Sequence, residues 1–313
     1  MSCRICQSTE VSFTVVAREM MFGFRDPFPY FECAGCGCVQ IRDIPADPGK
    51  YYPRNYYSFQ GSGTVERWLK KRWAACSYHG SDPIGSLIAI AFGKNAAVES
   101  VKRTGVKFDA DILDVGCGDG DFLLQLHSLG FSRLTGVDPF LAGDITYKNG
   151  VRVLKKNLGE MTGQFDLITL HHSLEHMDDP AEILRQAGKI LRTGGQVVVR
   201  VPVAGAAWKR FRANWVQLDP PRHIFLPTVK SMEILAARAG LRLGQVVFDS
   251  TEFQFWASEQ YLLDIPLHDA RSQLPLLKRL RAFGKMRKQR QLANEWNARG
   301  EGDAACFHYH KAG

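Results

Sequence analysis

The 313-residue chain has no apolar run long enough to span a bilayer. Its longest, IGSLIAIAFG from Ile84 to Gly93, falls well short of the roughly 20 residues a helix needs, and fits a buried helix better. The first residues, MSCRICQSTE, lack the apolar core of a secretory leader, so a cytoplasmic protein outside the membrane is expected. Acidic residues are in the minority, 32 against 40 Lys and Arg, for a net charge of +8 that permits an acidic partner. Part of the excess lies in KRLRAFGKMRKQR (Lys278 to Arg290), where Leu280, Phe283 and Met286 recur at helical spacing. That run reads as an amphipathic helix with a solvated basic face. It lacks the interleaved aromatics that favour single-stranded nucleic acid, so nucleic-acid binding is not expected. No internal repeat is evident. The length suffices for one well-cored catalytic domain plus small appendages.

Cysteine, in contrast, is plentiful at eight. Four fall in two pairs, CRIC (Cys3, Cys6) and CAGC (Cys33, Cys36). Disulfides are not expected in a cytoplasmic chain, and two such knuckles suit a closed tetrahedral zinc site. A site with no open position would hold an N-terminal ribbon together and do no chemistry. Cys38 is a spare or alternate ligand.

The segment DIPADPGKYYPRNYYSFQGSG (Asp43 to Gly63) is aromatic and broken by proline and glycine, which predicts a surface loop. Residues 64–104 read as helices. Beyond them short apolar runs alternate with helical stretches: DILDVG, RLTGVDP, VRVL, FDLITLHH, GGQVVVRVP and LRLGQVVFDS. This pattern predicts a doubly wound α/β sheet, mostly parallel, with AACFHYHKA as a seventh strand at an edge. The expected organisation is a zinc ribbon over 1–45, an aromatic loop and helical lid over 46–105, and an α/β domain over 106–313 carrying a helical insertion at about 251–303.

DVGCGDGDF sets Gly116, Gly118 and Gly120, with Cys117 between them, at the turn from the first strand of that domain into its helix. Glycines there let backbone approach a ligand, and the helix N-terminus favours a carboxylate or phosphate. The spacing is not the G-x-G-x-x-G of dinucleotide enzymes. Asp138, about 20 residues on, stands where a carboxylate accepts hydrogen bonds from ribose hydroxyls.

ILDVGCGDGDF, GVDP, FDLITLHHSLEHMDDP and LRTGGQVVVRVP together resemble the successive motifs of class I S-adenosylmethionine-dependent methyltransferases. The resemblance implies a Rossmann-like seven-stranded sheet. It also implies that Asp114 and the loop residues Gly116 to Gly120 hold the methionine end of the cofactor and that Asp138 holds its ribose. Asn157 and Leu158 would flank the adenine, and the backbone around His171 would border the sulfonium. CRIC, CAGCGCVQ and YYPRNYYSF further resemble the N-terminal zinc module and lid of deoxysugar C-methyltransferases. In those enzymes a histidine after the fifth strand, in a D-x-x-E-H-like string, is the general base. Here LDPPRHIF puts His223 at that position and Arg222 in place of the glutamate, and the chain stops before the large C-terminal domain of the C-methylating members. Methyl transfer to a sugar or sugar-nucleotide hydroxyl is therefore expected ahead of C-methylation.

Such a transfer needs no metal, only alignment and removal of a proton, for which imidazole is suited. His223 is the expected base, with loop anchoring or substrate contact as its other reading, and His176 is the second candidate. Arg222 is expected to grip a substrate anion or to make a surface ion pair. Glu175 is expected to approach the acceptor or to orient a loop, and Tyr57 to hydrogen-bond a sugar or to pack between ribbon and core. HSLEH also matches the H-x-x-E-H of a zinc-peptidase class. That reading needs one continuous helix, whereas His172 ends an apolar strand, so the two imidazoles need not share a face. An RNA methylase is a further alternative, although strand four ends without the Asn/Asp-Pro-Pro-aromatic string of amino-directed nucleic-acid methylases.

Overall fold

The computed structural model describes residues 2–52, 63–269 and 276–311; within 276–283 only the backbone is described. Near the N-terminus, alternating residues form β1 (Val11–Arg18) and β2 (Pro27–Cys33), which pair antiparallel, and β3 (Val39–Ile41) adds to β2. Three helices follow: α1 (Thr64–His79), α2 (Pro83–Phe92) and α3 (Ala96–Thr104). The Asp82 and Asn95 side chains cap the last two by accepting from backbone N–H groups. Helices α1 and α2 meet closely at Gly85, where a Cβ would lie 2.0 Å from the Arg72 carbonyl oxygen.

Contrary to expectation, the apolar run of α2 is not buried. Leu87, Ile90 and Phe92 are all strongly exposed, because α2 packs on α1 through its glycine side. Among the described residues no single helix is long and apolar enough to cross a membrane.

The larger sheet comprises β4 (Asp111–Val115), β5 (Arg133–Val137), β6 (Ile145–Thr146), β7 (Arg152–Leu154), β8 (Phe165–His171), β9 (Leu191–Pro202), β11 (Leu241–Phe248) and β12 (Ala304–Lys311). Their order is β11-β12-β9-β8-β4-β5-β7-β6. The pairs among β7, β5, β4, β8 and β9 are parallel, whereas β12 runs antiparallel to both its neighbours. The expected seven strands are present, with the two-residue β6 as an extra edge. Helices α4 (Asp121–Ser128), α5 (Pro180–Ile190) and α7 (Val229–Arg238) come from the connections. Two buried apolar clusters fill the layers on the sheet, one holding Leu113, Ile168, Val199 and Phe307, the other Ile112, Leu126, Leu167 and Val198.

The seventh strand departs from its expected place. It inserts between β9 and β11, and the run from Ala304 to Tyr309 is buried throughout. Both faces are covered, so the strand reads as apolar without alternation, as interior strands do. The true edge is β11, where Arg242, Gly244 and Gln245 are exposed. The expected insertion forms α8 (Phe253–Leu262) and α9 (Leu276–Ala298). In α9, Leu280 and Phe283 fall among the residues of undescribed side chains, Met286 is exposed, and Arg290 pairs with Glu252.

The smaller sheet is not confined to the first 45 residues. Its order is β1-β2-β3-β10, and β10 (Phe225–Leu226) comes from the loop after β9 and the short helix α6 (Ala206–Phe211).

Candidate active site

The carboxyl ends of the parallel strands carry the glycine loop. Gly116, Gly118 and Gly120 all have positive φ, and a Cβ on Gly116 would lie 2.5 Å from the Ser173 Cβ. Glycine at 116 thus lets the loop touch the segment after β8, where the Ser173 hydroxyl donates to the Val115 carbonyl at 2.8 Å. The Cys117 thiol packs towards β5, where a Cβ on Gly136 would meet its Sγ at 2.5 Å. Arg67 and Lys70 of α1 reach Asp119 at 3.0 Å and Asp121 at 2.7 Å, which ties α1 to the glycine loop.

Asp114 is buried at the end of β4 and accepts a hydrogen bond from Thr169 at 2.7 Å. Burial pushes its carboxyl up to about 7; the Thr169 bond opposes the shift and the Asp138 charge adds to it. A buried carboxyl raised in this way fits a cationic ligand such as an ammonium. Asp138 accepts from the Gly118 N–H at 3.0 Å and the Phe140 N–H at 2.9 Å, which keeps lone pairs for ribose hydroxyls. These features fit the methionine and ribose ends of S-adenosylmethionine. After β7, Asn157 is exposed, its N–H donating to Glu160 at 2.7 Å, while the Leu158 side chain is buried in the main core. Both nitrogens of His171 are buried without a hydrogen-bond partner, and its ring meets Phe122 edge-on at 4.7 Å. Burial, with Arg200 nearby, lowers it to about 3, so His171 is a neutral ring.

Beside the loop is a cavity of about 370 Å³. His172, Glu175, His176, Gln217, Asp219 and His223 line one side, and Asp249, Ser250 and Thr251 after β11, residues of α8 and the start of β12 line another. The HHSLEH stretch breaks as the sequence suggests: His171 ends β8, His172 follows with φ of 51°, and Leu174–His176 is a single 3-10 turn. His176 closes that turn and does not open a helix, since α5 starts at Pro180 after the Asp179 cap.

Glu175 is fully buried, with Oε1 3.2 Å from His172 Nδ1. Burial would raise its carboxyl, but the His172 bond and the surrounding imidazoles hold it down at about 2. His176 Nδ1 lies 2.9 Å from the Arg222 carbonyl oxygen, and His223 Nδ1 lies 2.7 Å from that of Gln217. The two rings meet edge-on at 4.8 Å. Burial, then the His223 charge, lowers the pKa of His176.

The expected substrate grip by Arg222 is not what the geometry offers. Its side chain is fully buried; Nη2 reaches Asp219 at 2.5 Å and Glu19 at 2.8 Å, and Nη1 donates to the Tyr51 carbonyl at 3.0 Å. With its fork engaged by protein groups, it is neither open to an anion nor a surface pair. Tyr57 lies outside the described residues. Two groups were not anticipated. Arg200 contacts His172 Nε2 and pairs with Asp249 at 2.5 and 3.0 Å, and the Tyr30 hydroxyl donates to the His223 carbonyl at 2.8 Å. Neither partnership has a local sequence signal, since each joins separate elements.

The four N-terminal cysteines converge, their sulfurs all within 4.8 Å of one another, with Cys3–Cys36 at 3.6 Å and Cys6–Cys33 at 3.4 Å. Tetrahedral zinc with Zn–S of about 2.3 Å needs sulfurs about 3.8 Å apart, so this donor set fits zinc. Cys38, buried next to it, is not among the four.

Among known proteins, the ubiquinone biosynthesis O-methyltransferase of Pseudomonas paraeruginosa is 35% identical over 97 residues, 28% of this chain and 41% of the relative. The Pseudomonas putida counterpart is 33% identical over the same length. The chain thus spans about two fifths of the length of the curated relatives it matches. Two solved structures are similar. One is the O-methyltransferase of a trans-AT PKS multienzyme of Brevibacillus brevis in complex with S-adenosyl-L-homocysteine (15% identity, 77% of this chain, 79% of that one, TM-score 0.43). The other is magnesium protoporphyrin IX methyltransferase from Synechocystis PCC 6803 with bound SAH (14%, 66% and 90%, TM-score 0.40). The family model described as the methyltransferase domain matches residues 89–246, half of this chain, and the chain belongs to that family.

Proposed function

We propose that this chain transfers the methyl group of S-adenosylmethionine to a hydroxyl of a small polar acceptor, a sugar or sugar nucleotide. The observation that carries the reading is the course of one segment, residues 171–176. It touches the glycine loop at Ser173 and lines the cavity with His172, Glu175 and His176. A cofactor on the loop and an acceptor in the cavity are then neighbours. The cavity volume lies in the range of small-ligand clefts, and its wall mixes Gln217, Gln254, Asp249 and Asp303 with the rings of Phe253 and Tyr261, a lining suited to a polyhydroxylated ring. The resemblance to deoxysugar enzymes and the O-methyltransferase relatives point the same way.

When bound, the cofactor supplies an electrophilic methyl whose C–S bond breaks with the electron pair leaving to sulfur. Asp114, Asp138 and the glycine loop hold it, with Asn157 and Leu158 beside the adenine. His223 removes the acceptor proton. Its Nδ1–H donates to the Gln217 carbonyl, which leaves Nε2 with the lone pair, and Asp219 Oδ2 lies 4.0 Å from that nitrogen. His176 is the second candidate for that proton.

The Cys3, Cys6, Cys33 and Cys36 cluster is read as structural zinc, and metal analysis of the purified chain should give about one equivalent. A screen of sugar nucleotides with methyl-labelled cofactor tests the acceptor class. His223→Ala should lower transfer by about 10²–10⁴-fold with cofactor affinity unchanged; a wild-type rate would remove His223 from the base role.

A further inference from the structure

Proton removal accounts for one imidazole in the cavity wall, yet two imidazoles and a carboxylate meet there. Glu175, His176 and His223 each present one donor atom, and these lie within 4.8 Å of one another. Glu175 Oε1 is held by His172, while Oε2 is buried with no hydrogen-bond partner. A bare, buried carboxylate oxygen has lost its water without replacement and calls for a partner. Each imidazole has its Nδ1 on a backbone carbonyl, Arg222 for His176 and Gln217 for His223, so each keeps Nε2 as its lone-pair nitrogen. This is how metal-binding histidines are commonly oriented. The carboxylate is oriented too, through His172, Arg200 and Asp249 in sequence.

We propose that Glu175, His176 and His223 bind one divalent cation of the borderline class (manganese, iron, cobalt or zinc), with its remaining positions open to the cavity. Two imidazoles and one carboxylate with open positions suit such ions and not calcium or magnesium. The site is separate from the four thiols, which offer no open position. Binding itself does not depend on the methyl-transfer reading; the role below rests on it. A cation there takes an acceptor oxygen as a ligand and lowers the pKa of its hydroxyl. The proton passes to water, the oxygen attacks the methyl carbon, and the C–S pair stays on sulfur. His223 then serves as a ligand, and acts as the base only in the cation-free protein. A vicinal diol, which chelates through two oxygens, is the favoured acceptor.

Manganese(II), which thiolates bind poorly, tests this on the full chain with its thiol site intact. Calorimetry or electron paramagnetic resonance should show one bound Mn²⁺ per chain. Glu175→Gln and His223→Gln should each weaken it at least tenfold, with thermal melting checked for both, and Ser12→Ala should leave it unchanged. Transfer to a diol acceptor should fall at least tenfold after mild chelation and return with Mn²⁺ or Co²⁺. If Mn²⁺, Co²⁺ and Zn²⁺ all fail to bind outside the thiol site, the proposal is overturned; hydroxyl methylation that persists unchanged would then leave the methyl-transfer reading standing. A bound cation in a chain that methylates no hydroxyl would uphold the site and remove the acceptor assignment instead.

Discussion

Asp114, proposed to hold the ammonium of the cofactor, is a buried group whose ionisation differs between the folded and unfolded chain. An exposed aspartate titrates near 4, whereas burial holds this one up to about 7, so the cofactor-free fold keeps a proton that the unfolded chain has released. Stability should therefore fall as pH rises from about 4 to about 7. An ammonium on the ligand favours the ionised form, which reverses the sign for binding. Affinity for S-adenosylmethionine should rise roughly tenfold between pH 6 and pH 7.5 and level off above that. Calorimetry across that range checks it, and Asp114→Asn should flatten the slope. Arg222 gives the converse case. Glu19 also accepts the N–H groups of Phe22 and Phe24 at 3.0 and 2.9 Å, so it stays held in its buried place if the arginine goes. Arg222→Met should cost about 3–5 kcal/mol in denaturant unfolding. The places of the turn glycines after β4 and of Asp138 after β5 were legible in the sequence, because they occupy spacings set by the turn and the next strand. Partners were not. Nothing around Glu19 announces that it will meet Arg222 some 200 positions away, so an arginine beside a histidine read as a substrate grip.

At the scale of elements, apolar strand runs were visible wherever both faces are covered. Strand order was less legible. A run such as AACFHYHK reports burial of its faces, but hydrogen-bonded neighbours leave no trace in residue type, and the last strand was placed at an edge when it is interior. Its central position gives Phe307, buried between β9 and β11, a large share of the packing. Phe307→Ala should cost about 3–5 kcal/mol, while an exposed change on the true edge, Arg242→Ala, should stay within about 0.5 kcal/mol; paired thermal melts separate the two. The apolar α2 was misjudged for a related reason. Composition alone does not say which side of a helix meets a neighbour, and here the close approach runs through Gly85.

Across the whole molecule, the N-terminal sheet and the loop that carries Arg222 and His223 to the cavity are joined at several points. The β10 strand begins two residues after His223, Tyr30 holds the His223 carbonyl, and Glu19 pairs with Arg222 in the same loop. Disturbing the thiol cluster should therefore reach the reaction as well as the ribbon. Cys33→Ser is expected to lower both melting temperature and kcat. Tyr30→Phe, which removes one hydrogen bond worth about 1 kcal/mol, should lower kcat several-fold with cofactor affinity unchanged. Equal kcat in wild type and Tyr30→Phe would show that the ribbon is a mere attachment.

The shared strand also bears on how such a protein can be recombined. A crossover drawn after residue 45 would separate β3 from β10 and leave a sheet with three strands and an unpaired edge. Swapping specificity between relatives would instead require the first 45 residues and the loop from about 212 to 228 to travel together. Two distant stretches of gene thus behave as one inheritable unit.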